Sequence, residues 1–219
     1  MSHTAHVIII GSGGHAKVLL DTLQALAVPV DAMVIEESQR APAAALAGLF
    51  SVQRILTDDM LLANGDRQAV SLVNGIGSIA DTALRQRIHA TYLAAGFRFA
   101  TITHPSAVVS RHARLGEGAQ IMAGAILQPG VDIGANVIIN TGAVIDHDCI
   151  IGAHTHIAPA AALSGGVRVG AGCHVGTGAR IIQGIRIGDA CLVGAGAVVL
   201  RDLEPQQRVA GVPARNIRR

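Results

Sequence analysis

The chain has no tryptophan, one tyrosine and three phenylalanines in 219 residues. Most cores of this size fill their volume with aromatic rings. This one must be built from Ile, Val, Leu and Ala, which suits a narrow interior one or two side chains wide. The scarcity of rings also removes the stacking platforms that single-stranded nucleic acid needs. The 17 Lys and Arg are nearly balanced by 15 Asp and Glu, so no basic run follows a phosphate backbone. No apolar stretch approaches the ~18 residues of a membrane span. The opening run, His6–Ile10, is too short for a secretory leader and leads straight into glycines, which implies a cytoplasmic protein. Cys149, Cys173 and Cys191 are an odd count with no metal spacing, and read as buried small residues.

What is present in quantity is glycine, with 26 residues, and a strict period. Every sixth residue from Val109 to Val199 is aliphatic, sixteen in succession, and the next residue is often Gly. With half of the chain apolar, chance gives such a run about once in 60,000. Four residues after each aliphatic comes a small or branched residue, and the three cysteines share that slot. Each unit reads as a short strand and a bend. Three units close a coil of 18 residues, so residues 18 apart stack on rungs roughly 4.8 Å apart. An ordinary β-sandwich would need alternation with period two and varied turns.

Residues 1–103 differ in texture. Apolar runs at His6–Ile10, Ala32–Ile35 and Ala69–Val73 alternate with helical patterns, one at Val18–Leu26 and one over residues 80–95 with Leu84, Ile88 and Tyr92. Such alternation predicts a small Rossmann-like parallel α/β domain. Gly11, Gly13 and Ala16 satisfy the glycine fingerprint that brings backbone N–H groups to a phosphate, and acidic Glu36 and Glu37 follow about 20 positions on. About 100 residues make barely one mononucleotide-binding half, so a nucleotide-linked ligand fits better than a nicotinamide cofactor; a tight turn with no ligand is the alternative. The domain boundary falls near Thr101–Ala107, where His104-Pro105 reads as a linker, giving domains 1–103 and 104–219.

The segment Ile145-Asp146-His147-Asp148-Cys149 breaks the chemistry of the repeat without breaking its period. His147 suits general-base work, and Asp148 can fix its tautomer. Stacking places Gly165 and Gly166 above this pair and Pro129 and Gly130 below it, a shelf of backbone amides where an oxyanion could be met. A solvated surface histidine is the bland alternative. His156 and His174 stack on adjacent rungs and point outward from the coil. They read as a contact for an acyl donor, as part of a metal site with His147 or His154 of a neighbouring chain, or as an exposed pair with no role.

Taken together, Gly13-Gly14-His15-Ala16-Lys17, Asn74-Gly75-Ile76-Gly77, His104-Pro105-Ser106-Ala107, Ile145–Cys149 and the tail Val209–Arg215 resemble the bacterial sugar acetyltransferases of the sialic acid O-acetyltransferase family. The chain looks most like the nucleotide-linked 4-amino-sugar N-acetyltransferases of bacillosamine- or perosamine-type sugars, enzymes of glycan or lipopolysaccharide synthesis. The resemblance implies a left-handed β-helix, a homotrimer, and acetyl-CoA as co-substrate with no metal. It implies His147 as base with Asp148 raising its basicity. Nucleotide-sugar contacts would fall at Gly13, Gly14, His15, Glu36, Glu37 and Gly77, and acetyl-CoA contacts at His156, Gly165, Thr177 and Ala195. Some members carry Glu at the place of Asp148 and Gly at that of Ala195. Sugar O-acetylation, a non-catalytic nucleotide-sugar-binding scaffold and a hydrolytic metalloenzyme are the rival readings. The choice among UDP, GDP, dTDP and CMP rests with the first hundred residues.

Overall fold

A computed structural model describes residues 6–217 in two compact units. One reaches to Gly77 and resumes over Arg87–Ala100; the other comprises Ser78–Gln86 and the chain from Thr101 onward. The first unit holds a fully parallel sheet of β1 (His6–Ile10), β2 (Val30–Val34), β3 (Arg54–Leu56), β4 (Val70–Asn74) and β5 (Arg98–Phe99), in the order β3-β2-β1-β4-β5. Helices α1 (Gly14–Ala25), α2 (Arg40–Leu49), α3 (Asp58–Asn64) and α4 (Ala83–Ala94) alternate with these strands. Parallel strands are covered on both faces, so they read as continuous apolar runs. Val7, Ile8, Ile9 and Ile10 are accordingly all buried, as are Leu19, Leu20 and Leu23 of α1. The strands β3 and β5 and the helices α2 and α3 left no periodic trace in the sequence, being only two to ten residues long.

Helix α4 lies where residues 80–95 were expected to form one; Tyr92 is buried and Ile88 packs against the core as that spacing implies, but Leu84 does not share their inward face. Leu84 is exposed, while Thr82, Arg85, His89 and Tyr92 are buried. Residues three and four apart share a helix face, so this stripe is regular but mostly polar. Apolar periodicity could not reveal it.

The second unit is a parallel β-helix. Sixteen two-residue strands run from Val108–Val109 to Val198–Val199 and are distributed over three parallel faces. Partners are 18 residues apart throughout, as in Ile126↔Val144, Ile150↔Arg168 and His156↔His174. The aliphatic of each unit points inward, and Ile121, Ile139, Ile145, Ile157, Val175 and Val193 are completely enclosed. The small-residue slot holds the cysteines as expected. The Cys149 thiol donates to the Ser164 carbonyl at 3.2 Å, that of Cys173 to Gly188 at 3.0 Å and that of Cys191 to Glu204 at 3.0 Å. Burial pushes the Cys149 thiol up to about 11, so it is a neutral packing group at physiological pH.

Two expectations are corrected. The coil begins before Val109: Ile102–Thr103 already pairs with Gln120–Ile121. Thr103 stands where an aliphatic would have extended the count. His104-Pro105 is therefore a corner of the first coil and not a linker, and the His104 N–H donates to the Ile121 carbonyl at 2.8 Å. Ser78–Gln86 groups with the β-helix and packs along one of its corners. Thr82 Oγ1 donates to the Gly172 carbonyl at 3.2 Å, and Arg85 Nε to that of Asn136 at 3.3 Å.

The interior carries the stability of the solenoid. Ile157→Ala is expected to lower unfolding free energy by about 2–5 kcal/mol, through lost burial and the cavity left behind. Ile150→Ala, on an outward face, should cost within about 1 kcal/mol. Denaturant unfolding of the two variants checks this; equal losses would contradict the inward assignment.

Candidate active site

His147 sits at the corner after Val144–Ile145. Its Nδ1 lies 2.9 Å from Asp148 Oδ2. An ionised carboxylate only accepts, so Nδ1 carries the proton and Nε2 is left as the basic nitrogen. The main-chain N–H of His147 donates to Asp146 Oδ1 at 2.7 Å, a contact that sequence reading did not single out. The hydrogen bond to Asp148 raises the His147 pKa; desolvation opposes it, and the charges of Asp146 and Asp148 add smaller upward contributions. Both side chains of the pair are largely exposed.

The stacked neighbours are those the 18-residue period places there. A Cβ on Gly165 would come within 2.4 Å of His147 Nε2, so the imidazole lies directly over that residue. A Cβ on Gly130 would come within 2.4 Å of Asp148 Oδ1. The pair is thus seated between two positions that tolerate no side chain. Asp148 has φ +59°, while Gly130, Gly166 and Gly184 hold the same left-handed place on neighbouring rungs. Aspartate tolerates this region better than most residues, and the same left-handed turn recurs at every sixth residue of the repeat, as at Gly142, His154 and Ala160. One element of the expected shelf is corrected. The Gly166 N–H is taken by the His147 carbonyl at 2.8 Å, so it does not face a ligand.

The other expected residues are placed as follows. Thr177 and Ala195 are exposed on adjacent rungs of another corner, where the Gly196 N–H donates to the Thr177 carbonyl at 2.8 Å. His156 points away from the coil interior but is buried, not exposed. Its Nδ1 meets Ser78 Oγ at 2.8 Å and its Nε2 meets Asn140 Nδ2 at 3.0 Å. His174 packs edge-on against it at 5.0 Å between ring centroids, with Nδ1 buried and unpartnered among the described residues. The reading of an exposed pair is therefore wrong, because Ser78–Gln86 belongs to this unit. Among the described residues no cluster of three His, Cys, Asp or Glu side chains is arranged around a metal site.

In the first unit, the loop Gly11–Gly13 leaves β1 and α1 begins at Gly14 with no side-chain cap. The free N–H groups of a first helical turn, together with the helix dipole, favour an anion. Sheet order reverses at β1, between β2 and β4, and ligands of open parallel sheets bind at such a point. Gly77, leaving β4, approaches His15: a Cβ there would stand 3.1 Å from that of His15. Ala16 fills the third fingerprint position, fully buried, and a Cβ on Gly75 would lie 2.9 Å from its methyl. A cavity of about 350 Å³ opens beside Ser12, Gly13, Gly14 and Lys17, bounded by α2. Glu36 and Glu37 follow β2 and are exposed, but Glu37 is held by Arg40 in a two-pronged ion pair at 2.5 and 2.7 Å. Glu36 is the acidic residue without such a clamp.

The geometry defines a hexapeptide-repeat transferase with a histidine–carboxylate pair on the coil. The profile for the bacterial transferase hexapeptide (six repeats) matches residues 112–147. The chain is similar to a histidine-to-asparagine variant of perosamine N-acetyltransferase from Caulobacter crescentus, solved with CoA and GDP-perosamine. Identity is 42%, coverage 98% of this chain and 97% of that one, and the TM-score 0.87. It is 31% identical to the acetyltransferase domain of PglB from Neisseria gonorrhoeae in complex with acetyl coenzyme A, covering 97% and 99% of the two chains, with TM-score 0.86. WeeI from Acinetobacter baumannii, at 21% identity and TM-score 0.82, shares the fold. No curated protein gives a significant match. The chain belongs to the family of hexapeptide-repeat sugar acetyltransferases.

The hydrogen bond from Nδ1 to Asp148 predicts a titration. Asp148→Asn removes the acceptor charge and should lower the His147 pKa from its raised value towards or below an ordinary histidine. The basic form would then persist to lower pH. NMR titration of the ring protons checks this, and an unchanged midpoint would mean that the carboxylate does not set the basicity.

Proposed function

We propose that the protein is an acetyl-CoA-dependent N-acetyltransferase acting on the amino group of a nucleotide-linked 4-amino sugar. The observation that carries the reading is the His147–Asp148 pair, with Nε2 poised over a residue that has no side chain. The neutral amine attacks the thioester carbonyl of acetyl-CoA and forms the C–N bond. His147 Nε2 takes the proton that the nitrogen sheds. The C–S bond of the tetrahedral intermediate then breaks, and the imidazolium returns a proton as CoA leaves as the thiol. The Gly165 N–H is the shelf amide we assign to the oxyanion, since that of Gly166 is taken.

We assign the first unit, as a Rossmann-like domain, to the nucleotide sugar. Gly13, Gly14 and His15 would meet the phosphates at the start of α1, Glu36 the ribose, and Gly77 the far side of the switch point. Glu37 serves by ordering Arg40 at the start of α2. Gly165, Thr177 and Ala195 would receive acetyl-CoA. His156 would act on the Thr177 corner indirectly, by fixing Asn140. A left-handed coil, a homotrimer and a cytoplasmic location belong to the same reading. The perosamine and PglB relatives support it, and the solved complexes favour a GDP-linked sugar as the first to try. No described helix is long and apolar enough to cross a membrane.

His147→Ala is expected to lower kcat by about 10²–10⁴-fold with little change in KM for either substrate. Thiol release from acetyl-CoA, followed with nucleotide-linked amino and hydroxy sugars, tests both base and substrate. Turnover with only the hydroxy sugar would make the protein an O-acetyltransferase. Unchanged turnover in the variant would remove His147 from the mechanism.

A further inference from the structure

Ser164 follows the strand Ala162–Leu163 and opens the corner one rung above Asp146, His147 and Asp148. The main-chain N–H groups of that corner are not alike. Ser164 gives its own to the Ile181 carbonyl at 3.0 Å, and Gly166 gives its own to the His147 carbonyl at 2.8 Å. The Gly165 N–H between them has no acceptor among the described residues, although Gly165 is buried. A buried amide without a partner costs free energy, which a ligand at this place would relieve. The side chain next to that amide is Ser164. Four bonds join its Oγ to the Gly165 nitrogen, which keeps the two within about 5 Å. The same position of the repeat elsewhere shows the direction such a side chain takes. Asp146 Oδ1 accepts the N–H of the following residue, His147, at 2.7 Å, and Asn140 Oδ1 accepts that of Thr141 at 2.7 Å. Ser164 is exposed, and its hydroxyl is without a partner among the described residues. Its stacked neighbours cannot replace it. An ionised Asp146 only accepts, and Ile182 has no polar group.

We propose that the Ser164 hydroxyl is a catalytic residue of acetyl transfer, the second donor to the oxyanion beside the Gly165 N–H. This rests on the acetyl-CoA-dependent reading above. As the amine nitrogen bonds to the thioester carbon, the π pair of the C=O bond moves onto oxygen. The Gly165 N–H and the Ser164 O–H meet the charge there from adjacent atoms of one corner. The pair returns to the C=O bond when the C–S bond breaks, and the proton that sulfur gains comes from the His147 imidazolium. Ser164 keeps its own proton throughout. His147 Nε2 lies over Gly165, so the base and both donors border one place. A donor aimed at an oxyanion is worth about 10²–10³ in rate when it is fixed in position. A hydroxyl turns about its C–O bond, so its share is smaller than that of a main-chain amide.

The test compares acetyl-CoA with its dithioester analogue, in which sulfur, a poor hydrogen-bond acceptor, replaces the acetyl oxygen. Ser164→Ala should lower kcat with acetyl-CoA about 10–10²-fold, with little change in KM for either substrate. With the dithioester the loss should be about tenfold smaller, because the hydroxyl has little to donate to. Ser164→Thr keeps the hydroxyl and should recover part of the rate. The pH dependence that reports His147 should not move in either variant. Equal losses with both acyl donors, an unchanged kcat, or a loss confined to KM would overturn the assignment of Ser164 and leave the acetyl-transfer reading standing. Failure of the unaltered protein to release thiol from acetyl-CoA with any nucleotide-linked sugar would overturn that reading, and the assignment with it. Thermal unfolding of each variant separates loss of the donor from loss of the fold.

Discussion

Each coil of the β-helix is hydrogen-bonded to the next in a parallel ladder, so from Gln120 to Val199 the strand residues sit over those 18 positions earlier. The corner cannot drift, because the ladder on both sides would lose its bonds, and buried unpaired backbone groups are costly. His147 therefore has fixed neighbours, and what matters most about them is what they lack. Gly165 and Gly130 leave room for the imidazole above and the carboxylate below. The repeat supplies the position, and two missing methyl groups supply the site.

The electrostatics of the pair follow from that placement. A histidine on an open corner would titrate as in water. Here the adjacent carboxylate holds Nδ1, fixes the tautomer and favours the protonated ring. A stronger base results, at the expense of more of it being protonated near neutrality, the usual compromise for a proton acceptor working close to its own pKa. Asp148 reaches the ring from a left-handed backbone conformation that its rung neighbours give to glycine. The short aspartate side chain closes a 2.9 Å contact to the ring.

The architecture and the core of the site were legible in the sequence because both depend on a period. The aliphatic at every sixth residue and the glycine over His147 needed only counting. What escaped notice lacked a period. Thr103 hid the first coil by being polar at an inward position. Arg85 and His89 were invisible as core residues, since no apolar pattern announces a buried polar face. His156 looked exposed because nothing in the repeat says that Ser78 packs against it, 78 residues earlier. The Arg40 clamp on Glu37 is a local pairing that spacing from the glycine fingerprint could not use to separate two adjacent acids.

The most direct measurement is a crystal structure of the protein with CoA and a nucleotide-linked 4-amino sugar. The account predicts the sugar nitrogen at hydrogen-bond distance, about 3 Å, from His147 Nε2, with the CoA sulfur beside Gly165. A sugar amine seated away from His147, or a CoA thiol ending at another corner of the coil, would contradict it.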